Sequence, residues 1–389
     1  MYLLLCIFSS VMACVALSSW AAKQGNGFAV DELTGQITGI GDYRRALVQG
    51  VSALIGIVVA LLLSNVDYRS LVKVWPVHVA LTWGLVLPTL FIRNVTVGPL
   101  TIGYNAGDTD NYSWYKLGGF TLQPTELAKI SFILTFAMHL NNVRGRINEP
   151  KELGKLLLHL AVPILIIHVQ GDDGTALVFL GVGLIMLYAG GLSHWLVGGG
   201  LAAAVGGAAA LLALRPGILK GYQFKRILAV LTPDDPALAD IAYQQNKGAM
   251  AIGTGGLTGQ GLFDGEPIFV PNAWNDFVFA YTANVLGFLG AAAVLVLLAA
   301  LCLRTLNTAR SAPDALGSHI CVGVFAALFL QTVINLGMNL QVLPVIGVTL
   351  PFFSAGGSSA LMMYLCVGIV LSVRAHSRTD RNPAEEFLA

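Results

Sequence analysis

Four short stretches of this sequence carry residue types that can do chemistry. Asp276 stands just before an apolar run, in Pro271-Asn-Ala-Trp-Asn-Asp-Phe-Val-Phe. A carboxylate there can take a proton from a hydroxyl, or it can simply cap the helix that follows, which is its commoner use. Glu126 and Lys129 lie in Leu122-Gln-Pro-Thr-Glu-Leu-Ala-Lys. Pro124 suits a first helical turn, and residues three apart share a helix face. Spacing alone favours a self-neutralising pair, with the Glu helped by the helix N-terminus. Asp172 and Asp173 sit in Gln170-Gly-Asp-Asp-Gly-Thr. One cap explains one Asp, but two adjacent carboxylates repel each other. His168 is near, and a metal site is the weaker reading because no second His accompanies it. Gly356-Gly357-Ser358-Ser359 opens a late apolar run. Small residues at a helix start leave backbone N–H groups for an anion such as phosphate, or serve only as a flexible turn.

These groups must be positioned by apolar elements. Hydrophobic residues make up 56% of the 389 residues and charged residues 11%, against about a quarter charged in soluble domains. Mean hydropathy is +0.73. Such a chain cannot cover a soluble surface of this size. The net charge of +1 gives no basic excess for nucleic acid. Cys6, Cys14, Cys302, Cys321 and Cys366 all lie in apolar runs without a CxxC or Cys/His cluster, so they read as small hydrophobes.

A membrane helix needs about 20 mostly apolar residues. The expected fold is an all-α polytopic membrane protein with about ten spans. The first six are Tyr2–Ala21, Ala46–Ser64, Leu71–Ile92, Pro124–Leu140, Leu153–Val169 and Gly174–Leu192. The last four are Trp195–Leu214, Phe277–Arg304, Ser318–Leu340 and Gly357–Val373. The first run lacks the charged start of a signal peptide and reads as a retained span. Residues 1–389 form a single membrane domain, with 215–275 as a large structured loop between the seventh and eighth spans. Segments Ala22–Arg45 and Arg93–Gln123 read as moderate loops. No internal repeat is evident, which weighs against transporters built from duplicated halves. The Gly/Ala run Gly198–Ala210 is expected to allow close helix packing.

Lys and Arg in short loops set orientation. One side holds Arg69, Lys73, Arg144, Arg146, Lys151, Lys155, Arg304, Arg310, Arg374, Arg378 and Arg381, eleven residues. The other side's short loops hold Lys23, Arg44, Arg45, Arg93 and Lys116, five residues. Arg215, Lys220, Lys225, Arg226 and Lys247 belong to the long loop, which counts little. Both termini are therefore expected inside and the long loop outside. With that parity, Glu126, Lys129, Asp172, Asp173, Asp276 and the Gly-Gly-Ser-Ser turn all fall at outer span ends. Ionisable groups at membrane depth are costly and usually functional. One site near the outer leaflet accounts for all of them.

Four ordered stretches resemble the SEDS family (shape, elongation, division and sporulation), with its RodA, FtsW and SpoVE types. Trp114-Tyr-Lys-Leu-Gly-Gly-Phe-Thr-Leu-Gln-Pro-Thr-Glu-Leu-Ala-Lys resembles W-x-x-L-G-x-x-x-x-Q-P-S-E-x-x-K. Gln170-Gly-Asp-Asp-Gly-Thr-Ala-Leu is similar to Q-P-D-x-G-T-A-L. Ala251-Ile-Gly-Thr-Gly-Gly-Leu-Thr-Gly-Gln-Gly, with Pro271–Ala280, resembles the glycine-rich run and the P-E-x-H-T-D-F-I-F-A block. Leu343 to Ser359 is similar to the C-terminal signature, and Asn65-Val-Asp-Tyr-Arg fits more weakly. There are departures. Trp274-Asn275 replaces H-T, Asn284-Val285 replaces a Glu pair, and Gly171 replaces the Pro of Q-P-D.

The resemblance implies ten spans and polymerisation of lipid II into glycan strands at the outer face of the bacterial cytoplasmic membrane. It makes Asp276 the catalytic carboxylate. It places Glu126, Lys129, Asp172 and Trp114 in an outer cavity and Gly356, Gly357, Ser358 and Ser359 near substrate. Lys225 and Arg226 are candidate partners of the leaving pyrophosphate. A divalent cation, Mg²⁺ or Mn²⁺, is a compatible addition. A class B penicillin-binding transpeptidase is the implied partner, besides membrane lipids. Two other classes stay open, a lipid II flippase and a non-catalytic scaffold for a penicillin-binding protein. Substitution of Asp276 separates the scaffold from the enzyme.

Overall fold

The computed structural model describes residues 1–30, 37–105, 111–118, 120–214, 222–232 and 235–377. Arg215, Lys220, Arg378 and Arg381 of the orientation count lie outside the described residues. So do parts of the expected long loop.

Helix α1 (Tyr2–Lys23) is followed by two short antiparallel strands, β1 (Ala29–Val30) and β2 (Ile37–Gly39), then α2 (Tyr43–Ser64). The expected third span is not one helix. It is divided into α3 (Tyr68–Lys73), α4 (Trp75–Val86) and α5 (Pro88–Phe91). Pro76 and Pro88 sit in the first turns of the last two. Proline offers no N–H to the preceding turn, so each restarts the helix.

The expected loop Arg93–Gln123 contains an antiparallel four-stranded sheet. Its strands are β3 (Val95–Val97), β4 (Leu100–Tyr104), β5 (Trp114–Leu117) and β6 (Phe120–Leu122), in that order. The chain is therefore not all-α. Val-Thr-Val-Gly-Pro-Leu-Thr-Ile is a β-branched run around a Gly-Pro turn, a hairpin pattern too short to stand out among apolar spans. Register Thr96↔Thr101 brings the two hydroxyls within 3.0 Å.

Helices α6 (Pro124–Asn142), α7 (Pro150–Val169), α8 (Asp173–Ala189) and α9 (His194–Leu214) follow. The 215–275 segment contains α10 (Tyr222–Leu231), a 3₁₀ turn Pro236–Leu238 and α11 (Ala239–Thr254). The chain then runs through α12 (Val278–Arg310), α13 (Ala315–Asn339) and α14 (Gly357–His376). Among the described residues six helices are long and apolar enough to cross a membrane: α1, α2, α7, α12, α13 and α14. Two shorter apolar helical stretches, Trp75–Phe91 and Asp173–Ala189, accompany them. The protein is a multi-pass membrane protein.

The main core joins α1, α6, α8, α12, α13 and α14 through buried side chains such as Phe136, Phe179, Leu298 and Tyr364. Helices α2 and α14 form the most extensive pair. A Cβ added at Gly56 would lie 2.6 Å from the Tyr364 ring, so only glycine permits this approach. The Gly/Ala run behaves otherwise. A Cβ on Gly198, Gly199, Gly200, Gly206 or Gly207 would meet nothing within 4 Å. At these glycines the close packing expected of the run is not seen. Small side chains permit approach but supply little dispersion attraction of their own.

The glycine-rich run after Ala251 is architectural. Helix α12 is broken at Gly287, whose φ of 66° and ψ of −165° suit glycine alone. The run supplies the hydrogen bonds that the break costs. Phe288 and Leu289 N–H donate to the carbonyls of Gly256 and Leu257, and Gln260 and Gly261 N–H donate to those of Asn284 and Val285. Gly287→Val is expected to lower stability by more than about 2 kcal/mol, the cost of that backbone region plus a clash with Leu257 and Gly259. Thermal unfolding in detergent checks it; an unchanged midpoint would refute the role.

Candidate active site

Asp276 sits in a turn, not in a helix cap. The N-cap residue of α12 is Phe277 and makes no side-chain cap bond, so the capping alternative fails. The turn is held from three directions. Asn335 and Asn339, one turn apart on α13, each donate from Nδ2 to the Asp276 carbonyl at 2.9 Å. Asn335 Nδ2 also donates to the Val348 carbonyl at 2.8 Å, and Asn339 Oδ1 accepts from Ala280 N–H at 3.1 Å. Both asparagines are fully buried. From the segment before α14, Ser354 Oγ donates to the Asn275 carbonyl at 2.7 Å and Ala355 N–H to the Trp274 carbonyl at 2.7 Å. Phe277 is buried beneath.

The Asp276 carbonyl thus accepts two hydrogen bonds while its side chain is unsatisfied. Oδ1 is buried and has no hydrogen-bond partner. Burial pushes its carboxyl up to about 6, Arg226 opposes the shift, and Asp172 adds to it. The carboxyl faces a cavity of about 420 Å³. Trp114, Gly356, Gly357 and Ser359 line the same cavity, as do Arg44, Arg45, Gln123, Asn275 and Thr349. Helix α14 begins here at Gly357 without a side-chain cap. Gln49 on α2 steadies this turn, donating from Nε2 to the Phe352 carbonyl at 2.9 Å.

The other expected residues form layers behind this wall. Asp172 caps α8, accepting from Thr175 N–H at 3.1 Å, and also accepts from Gln123 Nε2 at 2.7 Å. Gln123 therefore connects cavity to carboxylate. Burial raises the Asp172 carboxyl, the Thr175 bonds lower it, and Glu126 raises it further. Lys129 Nζ donates to Glu126 Oε1 at 2.9 Å, with side chains 2% and 5% exposed. The pair is self-neutralising, but it is buried and not interfacial. Glu126 Oε2 is buried without a partner. Ser358 is turned into the packing. Asp173 turns outward and bonds His168. Lys225 is exposed on α10. Arg226 is near enough to act on Asp276, and it lines a separate small pocket with Gln244 and Pro271.

Several cavity residues were not anticipated. Arg45 lies over the rings of Trp20 and Trp274, 4.9 and 4.5 Å from their centroids, and pairs with Asp42. Trp274 is the residue that departs from the H-T pattern, so the departure creates an arginine clamp. Arg44 and Arg45 open α2 beyond its apolar run, which hid them from a span count. Asn335 and Asn339 were legible in principle, as two amides four residues apart in an apolar helix. The Asn284 departure is also structural here. Its Nδ2 donates to the Ala251 carbonyl and Thr254 Oγ1, and its Oδ1 accepts from Ile268 N–H.

The comparisons agree with this architecture. Residues 34–379 match the family model FTSW_RODA_SPOVE, described as cell cycle protein. The chain is 32% identical over 332 residues to stage V sporulation protein E of Bacillus subtilis, covering 83% of this chain and 85% of that one. It is 32% identical over 340 residues to the probable peptidoglycan glycosyltransferase FtsW of Geobacter sp. strain M18, covering 85% and 86%. It is 33% identical over 297 residues to the peptidoglycan glycosyltransferase MrdB of Escherichia coli K12, covering 75% and 78%. Among solved structures, a chain from work on polymerization and crosslinking by a peptidoglycan synthase complex superposes with a TM-score of 0.74 at 25% identity, covering 96% and 98%. The rod shape determining protein RodA of Thermus thermophilus superposes with a TM-score of 0.62 at 23% identity, covering 98% and 97%, and shares the fold. With its length matched so fully and a residue of each ordered motif at or just behind one cavity, the chain belongs to the FtsW/RodA/SpoVE family, the SEDS proteins.

Proposed function

We propose that this protein is a peptidoglycan glycosyltransferase that polymerises lipid II at the outer face of the cytoplasmic membrane, with Asp276 as general base. The observation that carries the reading is the Asp276 carboxylate, backbone-pinned and side-chain-unpartnered, facing a cavity bounded by two arginines and a helix start. Relatives named as peptidoglycan glycosyltransferases support it.

Asp276 takes the proton of the acceptor's GlcNAc 4-hydroxyl. The oxygen attacks C1 of the donor's MurNAc from the face opposite the leaving group, and the α-linkage becomes β. The C1–O bond breaks and undecaprenyl pyrophosphate departs with the electron pair. Arg44, Arg45 and the N–H groups opening α14 stabilise that anion. The buried Glu126–Lys129 pair and Asp172 set the electrostatics of the wall behind the base. The cavity wall offers one carboxylate, and among the described residues no three His, Cys, Asp or Glu side chains gather, so a divalent cation would be held by Asp276 together with the pyrophosphate oxygens and would supply charge to the leaving group.

We read the orientation as ten spans with α3–α5, α6, α8 and α9 completing the six long apolar helices. The termini are cytoplasmic and the 215–275 segment outside, the Lys/Arg asymmetry supporting this. A class B penicillin-binding transpeptidase is the proposed partner, supported by likeness to a chain of a peptidoglycan synthase complex.

Purified protein, with and without the transpeptidase, incubated with labelled lipid II tests the reading; no glycan strands in either case would defeat it. The pH profile gives a second check. A base works deprotonated, so polymerisation should rise through about pH 6, the carboxyl's raised value, and fall about tenfold per unit below it. A rate flat from pH 5 to about 7 would exclude Asp276 as the titrating base.

A further inference from the structure

A second cavity, far from Asp276 in sequence and lining, lies between α4 and α7 with α6 as its floor. It measures about 560 Å³, within the range of a small-molecule site. Its walls are mainly apolar, with Trp75, Trp83, Phe132, Leu158 and Val162 along its length. Leu158 and Val162 are 65% and 46% exposed, so the groove opens sideways, where the medium is lipid. Its mouth is different. Asn142, His139 and Lys155 line it where α6 ends and α7 begins. Arg146 and Lys151 are close enough to act on Glu152, which pairs with Lys155. Over 142–155 the sequence carries four Lys or Arg against two Glu, so the mouth is net basic. From the mouth inward, the Nδ1 atoms of His139 and His159 lie 3.1 Å apart, and His159 Nε2 lies 3.3 Å from Thr135 Oγ1. The two imidazoles and the Thr135 hydroxyl thus form a polar stretch on the wall of an otherwise apolar slot.

We propose that this groove holds one anionic diacyl phospholipid, an acyl chain lying along Trp75, Phe132 and Val162 and the phosphate at Asn142, His139 and Lys155. Depth and charge decide the occupant. The open side of the groove faces the acyl region of the bilayer, and a basic mouth at the headgroup level selects anionic over zwitterionic lipid. The ester oxygens then fall beside the imidazole pair. The site rests on the membrane-spanning reading of α6 and α7 and is independent of the glycosyltransferase reading.

Full-length protein in phosphatidylcholine nanodiscs, doped at equal low mole fraction with brominated phosphatidylglycerol or brominated phosphatidylcholine, tests the proposal through tryptophan quenching. Brominated phosphatidylglycerol is expected to quench at roughly fivefold lower mole fraction, the effect of one basic side chain, Lys155, at the groove. The preference should vanish in Lys155→Glu and in Trp75→Phe/Trp83→Phe. Equal quenching by the two lipids, or a preference surviving both variants, would overturn it. Native mass spectrometry gives a second measurement: wild type should retain one phosphatidylglycerol and Val162→Phe should lose it, and retention by both would refute the acyl-chain slot. Lipid II plays no part in either readout, so failure to polymerise with the preference intact would count only against the function proposed above.

Discussion

Asp276→Asn should lower the rate of glycan polymerisation by roughly 10²–10⁴-fold, the usual worth of a positioned general base. The substitution keeps the side chain's size and leaves the backbone bonds from Asn335, Asn339 and Ser354 in place. It removes only a proton acceptor whose buried Oδ1 has no partner in the fold. Stability should therefore hold or rise, because an uncompensated buried carboxylate is unfavourable. The measurement is strand length and amount from labelled lipid II, paired with thermal unfolding in detergent. A folded Asn variant with wild-type turnover would remove Asp276 from the base role. It would also revive the scaffold reading if wild type itself were inactive beside its transpeptidase.

Asn335→Ala should be nearly as damaging, for a different reason. Asn335 never touches the cavity. Its amide joins the Asp276 carbonyl to the Val348 carbonyl, and so ties two walls of the cavity together. Alanine leaves the Val348 carbonyl without this donor, at a cost of about 1–3 kcal/mol. It also loosens the base, and a displacement of 1 Å can reduce rate on the order of 10²-fold. Asn339→Ala should behave alike, since its amide serves both Asp276 and Ala280. The discriminating readout is the split between kcat and KM for lipid II. A positioning role lowers kcat with KM little changed, whereas general unfolding lowers the active fraction alone. Asn335→Gln should not restore activity, because the longer side chain moves the amide from between the two carbonyls. Wild-type kcat in both alanine variants would show that Ser354 and Ala355 alone hold the turn.

Much of this was readable in the residues. Apolar runs of span length located α1, α2, α7, α12, α13 and α14, because a lipid-facing helix must be continuously apolar. The ordered motifs marked Asp276, Trp114, Asp172 and the Gly-Gly-Ser-Ser turn, and three of those four places line one cavity. Spacing gave the Glu126–Lys129 pair. Spacing could not give its depth, because i,i+3 contact is local while burial depends on which helices surround it.

Tertiary structure decided the rest. Only packing shows that Asp276 is not a cap, that Asp172 is one, and that Asn335 and Asn339 reach across to hold the Asp276 turn. These are contacts between residues 59 and 63 positions apart, which no local pattern encodes. The break at Gly287 and the glycine run that repairs it are likewise two halves of one hydrogen-bonding arrangement. The sheet between α5 and α6 escaped because strands of three to five residues carry too little periodicity beside long apolar helices. The residues alone fix the membrane class and the family, and they single out Asp276 as the candidate carboxylate, since each is written in local composition or in an ordered motif. The surroundings of that carboxylate arise from distant backbone carbonyls, amides and burial, and those exist only once the helices are packed.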